Sequence, residues 1–106
     1  MIDFLEMRSL YFIRYINNEY FIRKIEPLKY SGIIVIYLRN QIKPFKILNT
    51  DNLYLSIIEL IALNQIKIPN LFKLDFYLTS DKLFRNFAFL DLVRTLEPTN
   101  TSFKDI

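Results

Sequence analysis

The chain of 106 residues has no Cys, no His, no Trp and a single Gly, and its 14 Lys and Arg against 11 Asp and Glu give a formal net charge of +3. Without His or Cys, the usual zinc, copper, haem and iron–sulfur ligand sets cannot be assembled, nor can a Ser–His or Cys–His nucleophile pair. One glycine, Gly32, cannot build a phosphate-cradling loop of the Walker or dinucleotide type. Carboxylate-only chemistry remains, but no two acids form a recognisable catalytic pair, so the composition points away from an enzyme and calls for no cofactor.

The length predicts one domain with room for two small lobes. A hydrophobic fraction of 52% with ten Phe and seven Tyr is ample for a core without disulfides or metal. Absence of Cys speaks against a secreted disulfide scaffold. Although mean hydropathy is positive, the longest clean apolar run is Ile33 to Leu38, far short of the roughly twenty residues that cross a bilayer, so no membrane span is expected. The opening Met1-Ile2-Asp3-Phe4-Leu5-Glu6 places acids before any base, unlike a secretory signal or an Arg-rich transit peptide. Heavy use of Ile, Asn, Lys, Phe and Tyr follows A+T-rich codons and suits synthesis inside an organelle or in an A+T-rich bacterium.

Residues 3–16 read as a helix that Asp3 caps, with Leu5, Phe12 and Ile16 on one face. After the break at Asn17-Asn18, Tyr20 to Glu26 reads as a strand. Pro27 to Gly32 is a turn in which Gly32 is free to take positive φ. Ile33 to Leu38 is a buried strand, and Phe45 to Leu48 a short one entered through Pro44. Ser56-Ile57-Ile58-Glu59 has the pattern of a capping box and opens a short helix to about residue 63. A loop with Pro69 leads to the clearest strand, Leu71 to Leu78. There Phe72, Leu74, Phe76 and Leu78 point one way, and Lys73, Asp75 and Tyr77 the other. Thr79-Ser80-Asp81 then offers three N-cap candidates before a helix over Lys82 to Leu96, with Phe84, Phe87 and Leu90 or Val93 inward. The expected design is α+β in two layers: helix, three-strand antiparallel meander, short helix, strand and C-terminal helix. Residues 1–65 would form an N-terminal lobe, 66–96 a smaller C-terminal lobe, and 97–106 a surface tail.

Charge is unevenly placed. Arg23, Lys24, Lys29, Arg39, Lys43 and Lys46 face only Glu26 over that stretch, whereas the chain from Asp51 onward is slightly acidic. A one-sided basic surface is the footprint of a polyanion partner, although a solvated sheet rim looks the same in sequence. At the strand exit, Thr79 and Ser80 hydroxyls, the Lys82 ammonium and free helix-start N–H groups would lie together, with Arg85 one turn later. That set suits phosphate and sugar contacts, and plain capping by Ser80 or Asp81 competes with it. Of the tyrosines, Tyr77, on the polar face beside Thr79, is the best placed to stack on an unpaired base.

The run Leu10 to Leu38, with Tyr20-Phe21-Ile22 before a basic strand, a turn and an Ile-rich strand, resembles the small-subunit ribosomal protein eight family. The resemblance continues through Tyr54-Leu55-Ser56 to Tyr77-Leu78-Thr79-Ser80-Asp81-Lys82, which is similar to that family's Leu-Ser-Thr-Ser-Lys-Gly signature. By position Thr79 and Ser80 stand for the first two signature hydroxyls and Lys82 for its lysine. Asp81 replaces the third hydroxyl and Leu83 the glycine, and Asn49 is the nearest polar counterpart of a Ser-Lys-Pro stretch that is missing.

The resemblance implies a non-catalytic constituent of the small ribosomal subunit, mitochondrial and organelle-encoded. Its partners would be ribosomal RNA and neighbouring ribosomal proteins. RNA would be held by Lys43, Lys46, Lys82 and Arg85 on phosphate, by Thr79, Ser80 and Asn49 through polar contacts, and by Tyr77. The alternative expectation, from the large apolar fraction and modest charge, is an accessory subunit of an organellar assembly such as a respiratory complex.

Overall fold

The computed structural model describes residues 11–18 and 21–100 of the chain. It is an α+β fold built on a four-stranded antiparallel sheet in the order β1-β4-β2-β3. The strands are β1 (Tyr11–Ile16), β2 (Gly32–Leu38), β3 (Lys46–Thr50) and β4 (Leu71–Leu78). The helices are α1 (Phe21–Ile25), α2 (Leu53–Ala62) and α3 (Lys82–Leu96), with a 3-10 turn at Ile68–Asn70.

Where a helix over 3–16 was expected, residues 3–10 lie outside the described residues and Tyr11–Ile16 is a strand. Its pattern is alternating: Ile13 and Tyr15 pack against the core, whereas Phe12 and Ile16 are exposed. The expected strand at 20–26 is also corrected, since Phe21–Ile25 is helical. Short apolar runs are ambiguous between the two periods, and here the sheet decides. β4 lies between β1 and β2 and is antiparallel to both, so β1 and β2 are parallel and the segment joining them must cross over the sheet. It crosses over as a helix, burying Ile25 and Leu28 and leaving Arg23 and Lys24 in solvent.

Two split βαβ units interleave as a result. β1 and β2 run parallel with β4 between them, and β3 and β4 run parallel with β2 between them. The three-strand meander is therefore replaced by a β2–β3 hairpin into which β4 returns on the far side of β2. The boundary expected near residue 65 falls between elements that share one sheet, because β4 from its far side pairs with β1 and β2 from its near side.

Both crossover helices pack on one sheet face. Ile25 and Leu28, with Leu53, Ile57 and Leu60 of α2, meet Ile34, Ile36, Leu48, Leu74 and Phe76 in the larger core. The opposite face carries a smaller core of Ile33, Val35 and Ile47 under Ala88, Phe89 and Leu92 of α3. The layers thus number three, helix–sheet–helix, where two were expected. Burying each fully enclosed aliphatic side chain contributes about 1.5–3 kcal/mol, and Ile33 to Ile36 of β2, enclosed on both sides, are all at 0% exposure.

The capping details also moved. Asn52, not Ser56, caps α2: its side chain accepts from Leu55 N at 2.9 Å. Starting one turn earlier brings Leu53, Ile57 and Leu60 onto one buried stripe. Ser56 falls inside the helix and bonds with the Thr50 hydroxyl. In α3 the inward face holds Phe84, Arg85, Ala88, Phe89 and Leu92, while Phe87 and Leu90 are exposed. A register shift at Tyr37/Leu38 turns Phe72 out of the core and puts Leu71 in its place. Beyond α3, Thr99 N and Asn100 N donate to Pro44 O and Phe45 O, which ties the chain end to the entrance of β3.

Gly32 has no positive φ. Its reason is space: a Cβ there would lie 2.3 Å from the Tyr77 carbonyl oxygen and 3.2 Å from a Leu53 methyl. Gly32→Ala is expected to push β2 off β4 at the cost typical of overpacking, about 1–3 kcal/mol. Urea denaturation followed by circular dichroism measures this as a lower midpoint.

Candidate nucleic-acid interface

The residues expected to contact RNA do not form one patch. Lys82 opens α3 and is exposed, as is Ser80. Thr79 is half-buried; its hydroxyl accepts from Asp81 N at 3.3 Å and its carbonyl from the Ser31 hydroxyl at 2.7 Å. Asp81 is the N-cap of α3, accepting from Phe84 N at 3.0 Å, so a carboxylate already fills the position a phosphate would take. Lys43 lies past the other end of the helix, ion-paired with Glu97 at 3.1 Å. The 15 residues of α3 separate it from Lys82 by roughly 20 Å. Lys46 is half-buried and lines a cleft with Thr50, Ser56 and Glu59 between β3 and α2, on the opposite sheet face from α3.

Arg85 and Asn49 are engaged within the fold. Arg85 is only 4% exposed. Its Nε donates to Asn49 Oδ1 at 2.6 Å and its Nη2 to Asp51 at 2.8 Å. Asn49 in turn donates to Asn86 Oδ1 at 2.7 Å. These groups clamp the start of α3 onto the end of β3, and they are spent on that clamp. A guanidinium reaches the surface along its own length, so an Arg on an inward helix face finds a strand-end acid more readily than an external anion.

A different surface does gather ligand-type chemistry. On the α3 side of the sheet that helix packs chiefly on β2 and β3. Among the described residues no second helix lies over the β1–β4 half of that face, and register puts three cross-strand rows on it. Phe12 pairs with Tyr77, Arg14 with Asp75, and Ile16 with Lys73, and Tyr37 of β2 lies opposite Lys73. The Phe12 and Tyr77 rings meet at 5.0 Å, tilted by 51°. Arg14 sets its guanidinium 5.4 Å from the Phe12 centroid. It also grips Asp75 in a two-point fork, Nε to Oδ1 at 2.7 Å and Nη2 to Oδ2 at 2.9 Å. The Asp75 side chain is 3% exposed and the Arg14 side chain 46%, so the acid's charge is consumed within the fold. The Lys73 ammonium lies 4.4 Å from the Tyr37 ring centroid and 5.8 Å from that of Phe72.

At the Lys73 end the face runs into an open cavity of ≈ 550 Å³ bounded by Arg39, Asn40, Gln41, Ile42 and Phe72. Arg39 uses its Nε on Pro69 O at 3.0 Å. Among the described residues no ion pair neutralises Arg39 or Lys73. The face is therefore aromatic and net cationic. Of the expected site residues only Tyr77 belongs to it. In the sequence Phe12 fits a helical face, the irregularity that turns Phe72 outward leaves no mark, and Lys73 and Arg39 are told from the other cations only by the strand order and the position of the acids. The signal that was available was the alternation of Phe12, Arg14 and Ile16 against Ile13 and Tyr15.

No protein-family model, curated protein or solved structure matches the chain.

Two outcomes test this geometry. Arg85→Ala removes charged hydrogen bonds worth about 1.5–3 kcal/mol, so denaturation should show a clear stability loss. Tyr77 and Tyr37 are both pushed above the ordinary value of 10.0, first by burial and then by the Asp75 charge. A raised folded pKa of an acid stabilises the fold fully below the unfolded pKa, and that contribution is lost as pH rises through the folded pKa. Stability should therefore fall above pH 10.0, and Tyr77→Phe should flatten that fall in alkaline melts read by circular dichroism.

Proposed function

We propose that this chain is a non-catalytic RNA-binding protein that serves as a structural part of a ribonucleoprotein particle, the small ribosomal subunit being the particle its sequence resemblance names. The observation that carries the reading is the strip of sheet over which no described helix lies, which sets Phe12 and Tyr77 beside Arg14, Lys73 and Arg39, with Asp75, the acid described there, already neutralised. Aromatic faces next to uncompensated cations suit bases and phosphates together. The composition agrees, since a chain without His or Cys is better equipped to hold a polyanion than to transform it. In this reading Lys73 and Arg39 replace Lys43 and Arg85 as the phosphate contacts, while Lys82 and Ser80 remain exposed for a second, peripheral contact at the start of α3.

A second reading, a subunit held mainly by protein neighbours, has one observation in its favour. Leu83, Phe87 and Leu90 are exposed at 67%, 54% and 37% along the outer side of α3, and their spacing makes a single apolar stripe. Sedimentation of a cell extract with and without ribonuclease separates the two: release from a heavy particle on RNA digestion fits the first, persistence the second.

RNA affinity of the purified chain should fall steeply as salt is raised, because each neutralised phosphate releases counterions. Lys73→Glu should lower affinity and flatten the salt slope by about two phosphate equivalents, one lost and one opposed. Equal binding by wild type and variant at low and high salt would remove Lys73 from the interface.

A further inference from the structure

The open strip and the cavity beside it differ from what a duplex would need. A helical nucleic acid presents phosphates and hides base faces, so a surface shaped for it carries cations and short polar groups and has little use for exposed rings. Here exposed apolar and aromatic side chains stand among the cations. Phe12 is exposed at 45%, Ile16 at 58% and Phe72 at 42%, each next to a cation: Arg14 over Phe12, Lys73 over Phe72 and opposite Ile16. Phe72 is thrown outward by the sheet irregularity at Tyr37/Leu38, which turns a core position into a surface ring at the mouth of the cavity. Asn40 and Gln41 line that cavity together with Arg39. It is open to solvent, with Ile42 on its rim 98% exposed, so a base would be held there mainly against Phe72. Asn40 holds a left-handed backbone at φ 64°, which Asn tolerates better than most residues.

We propose that the strip from Phe12 to Phe72 binds a short run of unpaired nucleotides. One base lies on Phe12, another enters the Arg39–Gln41 cavity against Phe72, and the intervening phosphates are met by Lys73 and Arg39. The proposal rests on the RNA-binding reading and narrows it to single strands. The two platforms are set at opposite ends of β4, five residues apart between Phe72 and the Phe12 partner Tyr77, or roughly 17 Å along an extended strand. A strand laid across them reads shape and stacking, and Asn40 and Gln41 give the terminal base a donor and acceptor edge. Arg14 acts as a positioning residue: by binding Asp75 it compensates the negative charge on the path, and its guanidinium lies against the Phe12 ring, which is tilted on Tyr77.

Fluorescence anisotropy with the full chain tests this, using labelled oligouridine of about ten nucleotides and RNA duplex of the same length at low salt. The expected result is tighter binding of the single strand, with Phe12→Leu and Phe72→Leu each weakening it about tenfold, as loss of one stacked base predicts, and leaving duplex binding unchanged. Circular dichroism of each variant confirms folding. As a readout that needs no variant, the chain has no Trp, so its emission comes from Tyr, and oligouridine should quench it by stacking near Tyr77. Duplex bound as tightly as single strand, or unchanged affinity in folded Phe72→Leu, overturns the single-strand assignment and leaves the RNA-binding reading standing. Binding of neither RNA overturns both.

Discussion

Four strands at about 4.8 Å spacing make a sheet wider than one α-helix of about 10–12 Å diameter, and the consequences of that mismatch run through the whole molecule. On one face α1 and α2 together with the Leu28 turn span the width and enclose the larger core. On the other face, among the described residues, α3 stands alone, packed chiefly on β2 and β3. Phe12 and Ile16, which β1 carries on that side, keep 45% and 58% of their surface exposed. The same side carries a fork-paired Arg14 and Asp75, a tilted Phe12–Tyr77 pair and a lysine laid over tyrosine. Each of these tolerates partial hydration better than a row of aliphatic side chains.

The helix that covers half the sheet is itself held in place by polar groups. Arg85 ties α3 to Asn49 and Asp51, Asn86 adds a second bond to Asn49, and Asp81 caps the start. A buried guanidinium is costly unless its donors are used, so these contacts specify where the helix begins over the sheet. That placement decides which residues are covered. Phe87 and Leu90 are left outward although their spacing fits an inward stripe, because rotating them in would pull Arg85 out of its clamp.

Asp75 illustrates how a charged residue can belong to a core and still shape a surface. At 2% exposure it would be strongly unfavourable as a lone anion. With Arg14 in a two-point grip it is compensated, and its partner's raised pKa follows first from that hydrogen bond. The pair also joins β1, the edge strand, to β4, the central one. Asn17 strengthens the same junction, its side-chain amide donating to Ile68 O and Leu71 O at 2.8 Å each.

Local chemistry was enough to read β2, β3, β4 and α3 from the sequence, since each has an unbroken apolar run or strict alternation bounded by turn residues, and enough to read the α+β class. Composition alone set the catalytic expectations. Residues 11–16 and 21–25 were not legible, because five or six residues of mixed apolar and basic character satisfy either period. Only pairing with β4, which arrives some sixty residues later as the Arg14–Asp75 bridge spans |i−j| = 61, makes the first a strand. The candidate surface shared that fate. Tyr77 was visible as an outward ring on an alternating strand, but its neighbours Phe12 and Lys73 come together through strand order, and strand order is a long-range property. Which cations are spent inside the fold, as Arg85 is, and which meet no acid among the described residues, as with Lys73 and Arg39, depends on where the acids end up in three dimensions.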